Sequence, residues 1–315
     1  MESRHVIQSS SLLEKWKLIY GEIATEQFLQ AFSGGKIQAL RVNTLRTSIN
    51  DLVHRLSKKG FVLEKKIPKC GFRILKASFS PGTTTEYLAG HFFLQGLSSQ
   101  LAAEILSPRP DQLVIDVTAA PGGKTSHMAQ LMQNRGVIIA IERSKRRLLS
   151  FKNNLQRCGV TNCIGFHGDT RIMLSNQLPL MVDKIIVDAP CTGTGTLHKN
   201  VAKLETYKLE DSLLLSDIQL NILESAFSSL APGGDILYCT CSMEPEENEM
   251  VVHRFLMKFE ENVEVIKINL ELPNVLEPFN SYMGEEFRED MENCVRIKPT
   301  EDYEGFFMAL LSKVE

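Results

Sequence analysis

The chain predicts an α/β fold: an open, mostly parallel sheet with helices on both faces, preceded by a smaller α/β lobe. Three observations carry that expectation. From residue 111 onward, near-continuous β-branched runs at 113–117, 137–141, 163–166, 184–187 and 236–239 alternate with amphipathic helical patterns at 125–133, 145–158 and 213–230. Strands apolar on both faces belong to parallel sheets buried between helix layers. A turn of small residues, Ala119-Ala120-Pro121-Gly122-Gly123, joins the first run to the first helix, at the edge where open α/β sheets bind ligands. Before these, residues 39–76 read as strand, helix, strand, strand. The boundary is expected near residue 90, dividing 1–90 from 91–315.

In chain order, Leu12, Leu13, Trp16, Ile19 and Tyr20, then Ile23, Phe28, Leu29 and Phe32, recur at helical spacing until Gly34-Gly35. A strand-like run follows at 39–44. Ser48 can cap a helix that carries Ile49, Leu52, Val53 and Leu56 on one face and stops at Gly60. Residues 61–66 and 72–76 read as short strands, and the Ser80-Pro81-Gly82 loop leads to a helix over 98–106. The small lobe has part of the order of an RNA-recognition sheet but lacks its aromatic signature.

At 315 residues the chain exceeds one average domain. No apolar stretch approaches the roughly 20 residues that span a bilayer. The start Met1-Glu2-Ser3-Arg4-His5 lacks a signal-peptide core, so a cytoplasmic protein is expected. Seven cysteines, an odd count without secretory context, argue against a disulfide framework. Without Cys-x-x-Cys or zinc-type His spacing, no metal is expected. Cys239 and Cys241, two apart, would share a strand face; a metal or redox role for them ranks low because no second pair accompanies them. Residues 1–100 hold 14 Lys and Arg against 7 Asp and Glu in a chain of net charge −3. That surplus, with clusters Lys58-Lys59, Lys65-Lys66 and Lys69, suits phosphate-backbone attraction and equally suits a solvated lobe.

The chemistry should gather at the carboxyl edge of the sheet. Asp116, Glu142 and Asp169 fall at three successive strand ends, a register that surface acids need not keep. The turn from Thr118 through Lys124 opens a helix whose free N–H groups can take an anion such as an amino-acid carboxylate. Glu142 lies where an acid reaches ribose hydroxyls in nucleotide-binding α/β folds, and Asp169 where a carboxylate can accept from an adenine amino group. Arg143, Lys145, Arg146 and Arg147 crowd a helix start, which the helix dipole disfavours, and read chiefly as a solvated face. Cys191, in Asp188-Ala189-Pro190-Cys191-Thr192-Gly193-Thr194-Gly195, sits in a loop whose glycines imply flexibility. Cys241, in Thr240-Cys241-Ser242, precedes the acid-rich Glu244-Pro245-Glu246-Glu247-Asn248-Glu249, read as a first helical turn that would depress the thiol pKa. Either cysteine could be the nucleophile by position alone.

With these residues the chain resembles the RNA cytosine-C5 methyltransferase family: bacterial ribosomal RNA methylases, archaeal tRNA methylases and their eukaryotic Nol1/Nop2/Sun relatives. The resemblance runs from Arg41-Val42-Asn43-Thr44 through Gln95 to Ser99, the turn, and both cysteine motifs to Arg296-Ile297-Lys298-Pro299 and Gly305-Phe306-Phe307. It implies a class I, Rossmann-like S-adenosylmethionine methyltransferase sheet at 91–315 and a basic RNA-binding lobe at 1–90. It also implies S-adenosylmethionine held by Thr118, Ala119, Ala120, Pro121, Gly122, Gly123 and Lys124, with Glu142 on the ribose, Asp169 toward adenine, and Arg147 near the cofactor. Asp188 is implied near the methionine end and target base, with Lys124 part of the catalytic group. Cys241 matches the residue that attacks cytosine C6, and Cys191 the cysteine that assists proton removal at C5 and release. DNA cytosine methylases use a Pro-Cys nucleophile, so the motif shape of Cys191 still competes.

The family often carries Cys at Thr118, Asp at Glu142, Ser at Thr192 and Asp at Glu304, conservative departures that bear on substrate subgroup. The resemblance implies an RNA partner, with tRNA favoured because the lobe is short and ribosomal RNA the alternative, and a monomer without membrane association. A non-catalytic RNA-binding or ribosome-assembly factor on the same fold is the competing class. Retention of both cysteines, Asp188 and the whole turn weighs against it.

Overall fold

The amphipathic start of the chain forms two helices, α1 (Ser11–Tyr20) and α2 (Glu22–Ser33), parted at Gly21, whose φ of 84° suits glycine. These are read from a computed structural model that describes residues 11–34, 38–176 and 181–314. Met1 to His5 and the second glycine of the Gly34-Gly35 stop lie outside the described residues. Leu12, Leu13, Trp16, Phe28 and Phe32 cluster with Leu197, Leu204, Tyr207 and Met243. The first two helices therefore build their core with a distant part of the chain.

The small sheet has the order β2-β3-β1-β4, all antiparallel, from β1 (Ala39–Val42), β2 (Val62–Lys65), β3 (Gly71–Lys76) and β4 (Phe92–Leu94). Ser48 Oγ caps α3 (Ile49–Lys58) by accepting from Asp51 N at 3.1 Å. Leu52 and Leu56 then pack on Leu40, Val42, Phe72 and Phe92. β4 was not evident from the sequence, because three residues are too few to show alternation, and it lies beyond residue 90. A short α4 (Thr85–Leu88) precedes β4, and α5 (Leu97–Leu106) leads into the second core.

The expected open α/β sheet follows. Its parallel part alternates β5 (Leu113–Asp116), α6 (Gly123–Leu131), β6 (Val137–Glu142), α7 (Lys145–Cys158), β7 (Cys163–His167), α8 (Thr170–Asn176) and β8 (Val182–Asp188). It continues through α9 (Lys203–Thr206) and α10 (Leu209–Ser228) to β9 (Leu230–Thr240). The last part adds α11 (Glu249–Lys258), β10 (Val263–Ile266), β11 (Val275–Leu276), a β12 (Ser281–Tyr282) and β13 (Glu285–Glu286) hairpin, β14 (Val295–Ile297) and β15 (Phe306–Lys313). Strand order is β11-β14-β15-β9-β8-β5-β6-β7, with β10 also on β15. β5 to β9 are parallel and β15 is antiparallel to β9.

β5 has β6 on one side and β8 on the other, so the winding reverses there and opens a crevice at the carboxyl ends. Both sheet faces carry buried clusters, with Ile115, Ile185 and Ile236 in one and Val114, Ile186 and Leu237 in the other. No helix among the described residues is long and apolar enough to cross a membrane.

Candidate active site

β8 and β9 run in parallel with Asp188 beside Cys239, so the segments leaving their ends travel together. Cys191 and Cys241 meet across that gap with their Sγ atoms 3.4 Å apart. Backbone bonds stitch the segments: Gly195 N donates to Cys241 O at 2.9 Å and Ala189 N to Cys239 O at 3.0 Å. The glycines serve this packing rather than flexibility, correcting the sequence expectation. A Cβ on Gly195 would lie 2.2 Å from Gly305 O, and Gly193 holds a φ of 69°. Cys239 and Cys241 do not form a pair on one strand face, because β9 ends at Thr240. Cys239 is fully buried, 3.8 Å from Asp188 Oδ1, and its thiol is pushed well up by burial and by Asp188.

Lys124 Nζ lies 2.7 Å from Asp188 Oδ2. Burial would push this lysine down, yet Asp188 together with the thiols of Cys239 and Cys241 outweighs it and holds the ammonium above its ordinary range. The two thiols behave as one proton-sharing pair. Cys241 is held below the usual thiol range by the hydrogen bond from Cys191, against burial, with Lys124 and Lys199 assisting. Cys191 is pushed well up by the same bond and by burial. Of the two, Cys241 is the thiol that gives up its proton more readily and Cys191 the one that holds it. The helical turn expected after Cys241 is present only as a single 3-10 turn, Pro245–Glu247, and the α-helix α11 starts at Glu249.

Glu244, Glu246, Glu247 and Glu249 form no solvated first turn; all four are fully buried. Glu244 takes Trp16 Nε1 at 2.9 Å and Tyr207 OH at 3.0 Å, and pairs with Lys15. Glu246 takes Lys15 at 2.8 Å and Tyr282 OH at 2.6 Å, and Glu249 pairs with the buried Arg296. Arg296, a lone cation between Val295 and Ile297, was the one trace of these partners in the sequence; Lys15, between Glu14 and Trp16 with Lys17 next, gave none.

The Thr118 to Lys124 turn lies beside this cluster, since Thr118 Oγ1 donates to Asp188 O at 2.8 Å. Asp116 braces the turn from beneath, accepting Thr125 Oγ1 at 2.6 Å and Thr118 N at 3.3 Å. Burial, then the nearby Asp188, raises its pKa to about 6. Glu142 accepts Ala120 N at 3.2 Å and Ser144 N at 2.7 Å. Arg147 donates to Ala120 O and lies 3.6 Å from Glu142, so of the four cations this one ties α7 to the turn. Gly122, at φ 102°, turns the chain into α6, whose first N–H groups lack helical partners. Asn154 Nδ2 holds Pro121 O at 2.9 Å, and the buried Arg41 of β1 holds Gly123 O at 2.7 Å. Asp169, two residues past β7, is gripped by Arg171 at 2.9 and 2.6 Å. Free helix-start amides, an oriented carboxylate at Glu142 and a second at Asp169 form a donor and acceptor set that fits the amino-acid, ribose and adenine parts of S-adenosylmethionine.

The basic lobe is less open than its charge implies. Lys59 is paired with Glu86, Lys66 with Asp302 at 2.6 Å, and Lys65 donates to the carbonyls of Lys66 and Pro68. Lys58 and Lys69 remain exposed.

Residues 103–312 match the family model described as 16S rRNA methyltransferase RsmB/F. A human 28S rRNA (cytosine(4447)-C(5))-methyltransferase is 39% identical over 91% of this chain and 36% of its own length. Ribosomal RNA small subunit methyltransferase F of Vibrio parahaemolyticus is 34% identical over 96% of this chain and 63% of its own. The chain thus spans less than two thirds of these relatives. Among solved structures, a methyltransferase homologue from Pyrococcus horikoshii has a TM-score of 0.85 at 36% identity, covering 98% of this chain and 96% of that one. NSun6 from the same organism, solved with SFG, has a TM-score of 0.82 at 25% identity over 98% of both chains. The Rossmann-like sheet expected from the sequence is shared with these methyltransferase structures.

Proposed function

Because the chain belongs to the family described as 16S rRNA methyltransferase RsmB/F, we propose that it is an S-adenosylmethionine-dependent RNA methyltransferase that forms 5-methylcytosine, with Cys241 as nucleophile. The observation that carries this reading is the pair of thiols 3.4 Å apart beside the Lys124–Asp188 ion pair. Cytosine C5 is too poor a nucleophile to accept a methyl group unless a thiolate first adds at C6. Cys241 Sγ forms the bond to C6, and the C5–C6 electron pair moves to C5. S-adenosylmethionine, when bound at the turn with Glu142 and Asp169, supplies the methyl group. The C5 proton then leaves to water with Cys191 assisting, the C5–H electron pair restores the C5–C6 double bond, and the Sγ–C6 pair returns to the sulfur of Cys241. Once N3 is protonated, Asp188 accepts from N3–H, so the charge that the thiolate pushes into the ring is neutralised at N3, and Lys124 fixes the orientation of that carboxylate. The base must leave its stack to reach the thiol.

For the RNA, ribosomal RNA is supported by the names of the human and Vibrio relatives. The sequence favoured tRNA on the shortness of the lobe, and that remains the second reading within the class. Bisulfite sequencing of total RNA from cells with and without the protein distinguishes them by naming the RNA and the position. Cys241→Ala is expected to abolish methyl transfer, while Cys191→Ala leaves a protein–RNA adduct that survives denaturing electrophoresis. An adduct from Cys241→Ala instead would exchange the two roles.

A further inference from the structure

Among the described residues Glu247 has no cationic partner, unlike the other three acids of its stretch. Its carboxylate lies between the two cysteine segments. Oε2 accepts Thr192 N at 2.8 Å and Gln219 Nε2 at 3.1 Å. Oε1 accepts Ser242 Oγ at 2.8 Å and Ser212 Oγ at 3.2 Å, together with Thr192 Oγ1. Thr192 follows Cys191 and Ser242 follows Cys241, so one carboxylate grips the neighbour of each thiol. Its own backbone is held as well, with Tyr238 OH donating to Glu247 O at 2.5 Å. Two obligate N–H donors make Oε2 an acceptor, and the hydroxyls can fill Oε1, so neutral donors work against the burial that raises this carboxyl above its ordinary range.

We propose that Glu247 is the positioning residue of the thiol pair: it sets the approach of Cys191 to Cys241 through Thr192 and Ser242, and its charge keeps the shared proton on Cys191. Unlike Asp188, which faces both thiols, Glu247 acts on the Cys191 side. Its negative charge contributes to the raised thiol there, a secondary effect beside the Cys241 bond and burial. The inference deepens the methyltransferase reading and rests on it only for its kinetic consequence, since the state of the two thiols can be read without RNA.

The test is limited alkylation of the full chain with iodoacetamide at neutral pH, with the sites quantified by mass spectrometry. The wild-type protein is expected to label mainly at Cys241. In Glu247→Gln the ratio of Cys241 to Cys191 labelling is expected to fall about tenfold, the equivalent of one pKa unit between the thiols. kcat for methyl transfer should fall while KM for RNA holds. Should that variant not fold, Thr192→Val removes the hydroxyl bonds to Glu247 and Ser242 while keeping the bond from Thr192 N, and is expected to shift the ratio in the same direction, with Thr192→Ser shifting it less. A labelling ratio unchanged in whichever of these variants folds would overturn the proposal and leave Glu247 as scaffold. A shifted ratio in a protein that methylates no RNA would uphold the positioning role and sink the RNA reading instead.

Discussion

Asp116, Glu142 and Asp169 stand at or just past the ends of three successive strands, whereas Glu244, Glu246, Glu247 and Glu249 crowd one stretch after Cys241. The first set is satisfied locally. Glu142 takes its donors from Ala120 and Ser144, Asp169 from Arg171, and Asp116 from Thr118 and Thr125. The second set reaches across the chain, to Trp16 and Lys15, 228 and 231 residues away, and to Arg296. Acids held by near neighbours keep a fixed orientation and can still serve a ligand. Glu244, Glu246 and Glu249, neutralised by distant cations, join α1, α11 and β14 to the segment after β9, while Glu247 stands apart on neutral donors. The same residue type thus builds a binding edge in one place and a buried framework in another.

The comparison breaks most sharply at Arg296. Arg296→Met leaves Glu249 buried without its cation, and the loss expected from denaturant unfolding is about 3–5 kcal/mol. The double variant Arg296→Met/Glu249→Met should regain most of it; a single variant as stable as wild type would show the pair to be dispensable.

Asp116 provides the next effect, and it depends on pH. Its carboxyl titrates near about 6 in the folded chain against an ordinary 3.8, so the folded state holds the proton more firmly than the unfolded one. Stability from this group is present below the unfolded pKa and is lost as pH rises toward about 6, by about 3 kcal/mol in all. The difference in melting temperature between Asp116→Asn and wild type should therefore move in favour of the variant from pH 4 to pH 7. A difference flat across that range would place the carboxyl in a more polar setting.

Smaller effects sharpen the ligand side. Glu142→Gln is expected to weaken S-adenosylhomocysteine binding about tenfold, or about 1.4 kcal/mol by calorimetry. Glu246→Gln should lower the melting temperature while leaving that affinity alone. Asp169→Asn should weaken binding only about threefold, near 0.7 kcal/mol, because Arg171 already occupies both of its oxygens. Equal losses at Glu142 and Glu246 would erase the distinction between the two sets.

Legibility in the sequence follows the same division. The five parallel strands, α6, α7 and α10 between them, the capped α3 and the Thr118 to Lys124 turn all express short-range periodicity or local turn chemistry, and each was readable, whereas the short α8 and α9 were not read. β4 and β11 were too short to carry a period, and β15 needed β9 and β14 beside it to be a strand. The site divided likewise. Cys191, Cys241, Asp188 and Lys124 could be named because each follows a strand end, but the depression of the Cys241 thiol was traced to a helix start that lies farther along the chain. Lys199 and Glu247 carried no motif of their own.

Residue order alone determined which groups would arrive at the carboxyl edge, since strand period and turn chemistry act over a few neighbours. Only the folded chain decided that two sulfurs would come within hydrogen-bonding reach, that Lys66 would be tied to Asp302, and that four glutamates would vanish from solvent. Those outcomes depend on charges and donors brought together from segments up to 236 residues apart (302 minus 66), and Coulomb and hydrogen-bond energies follow distance in space rather than distance along the chain.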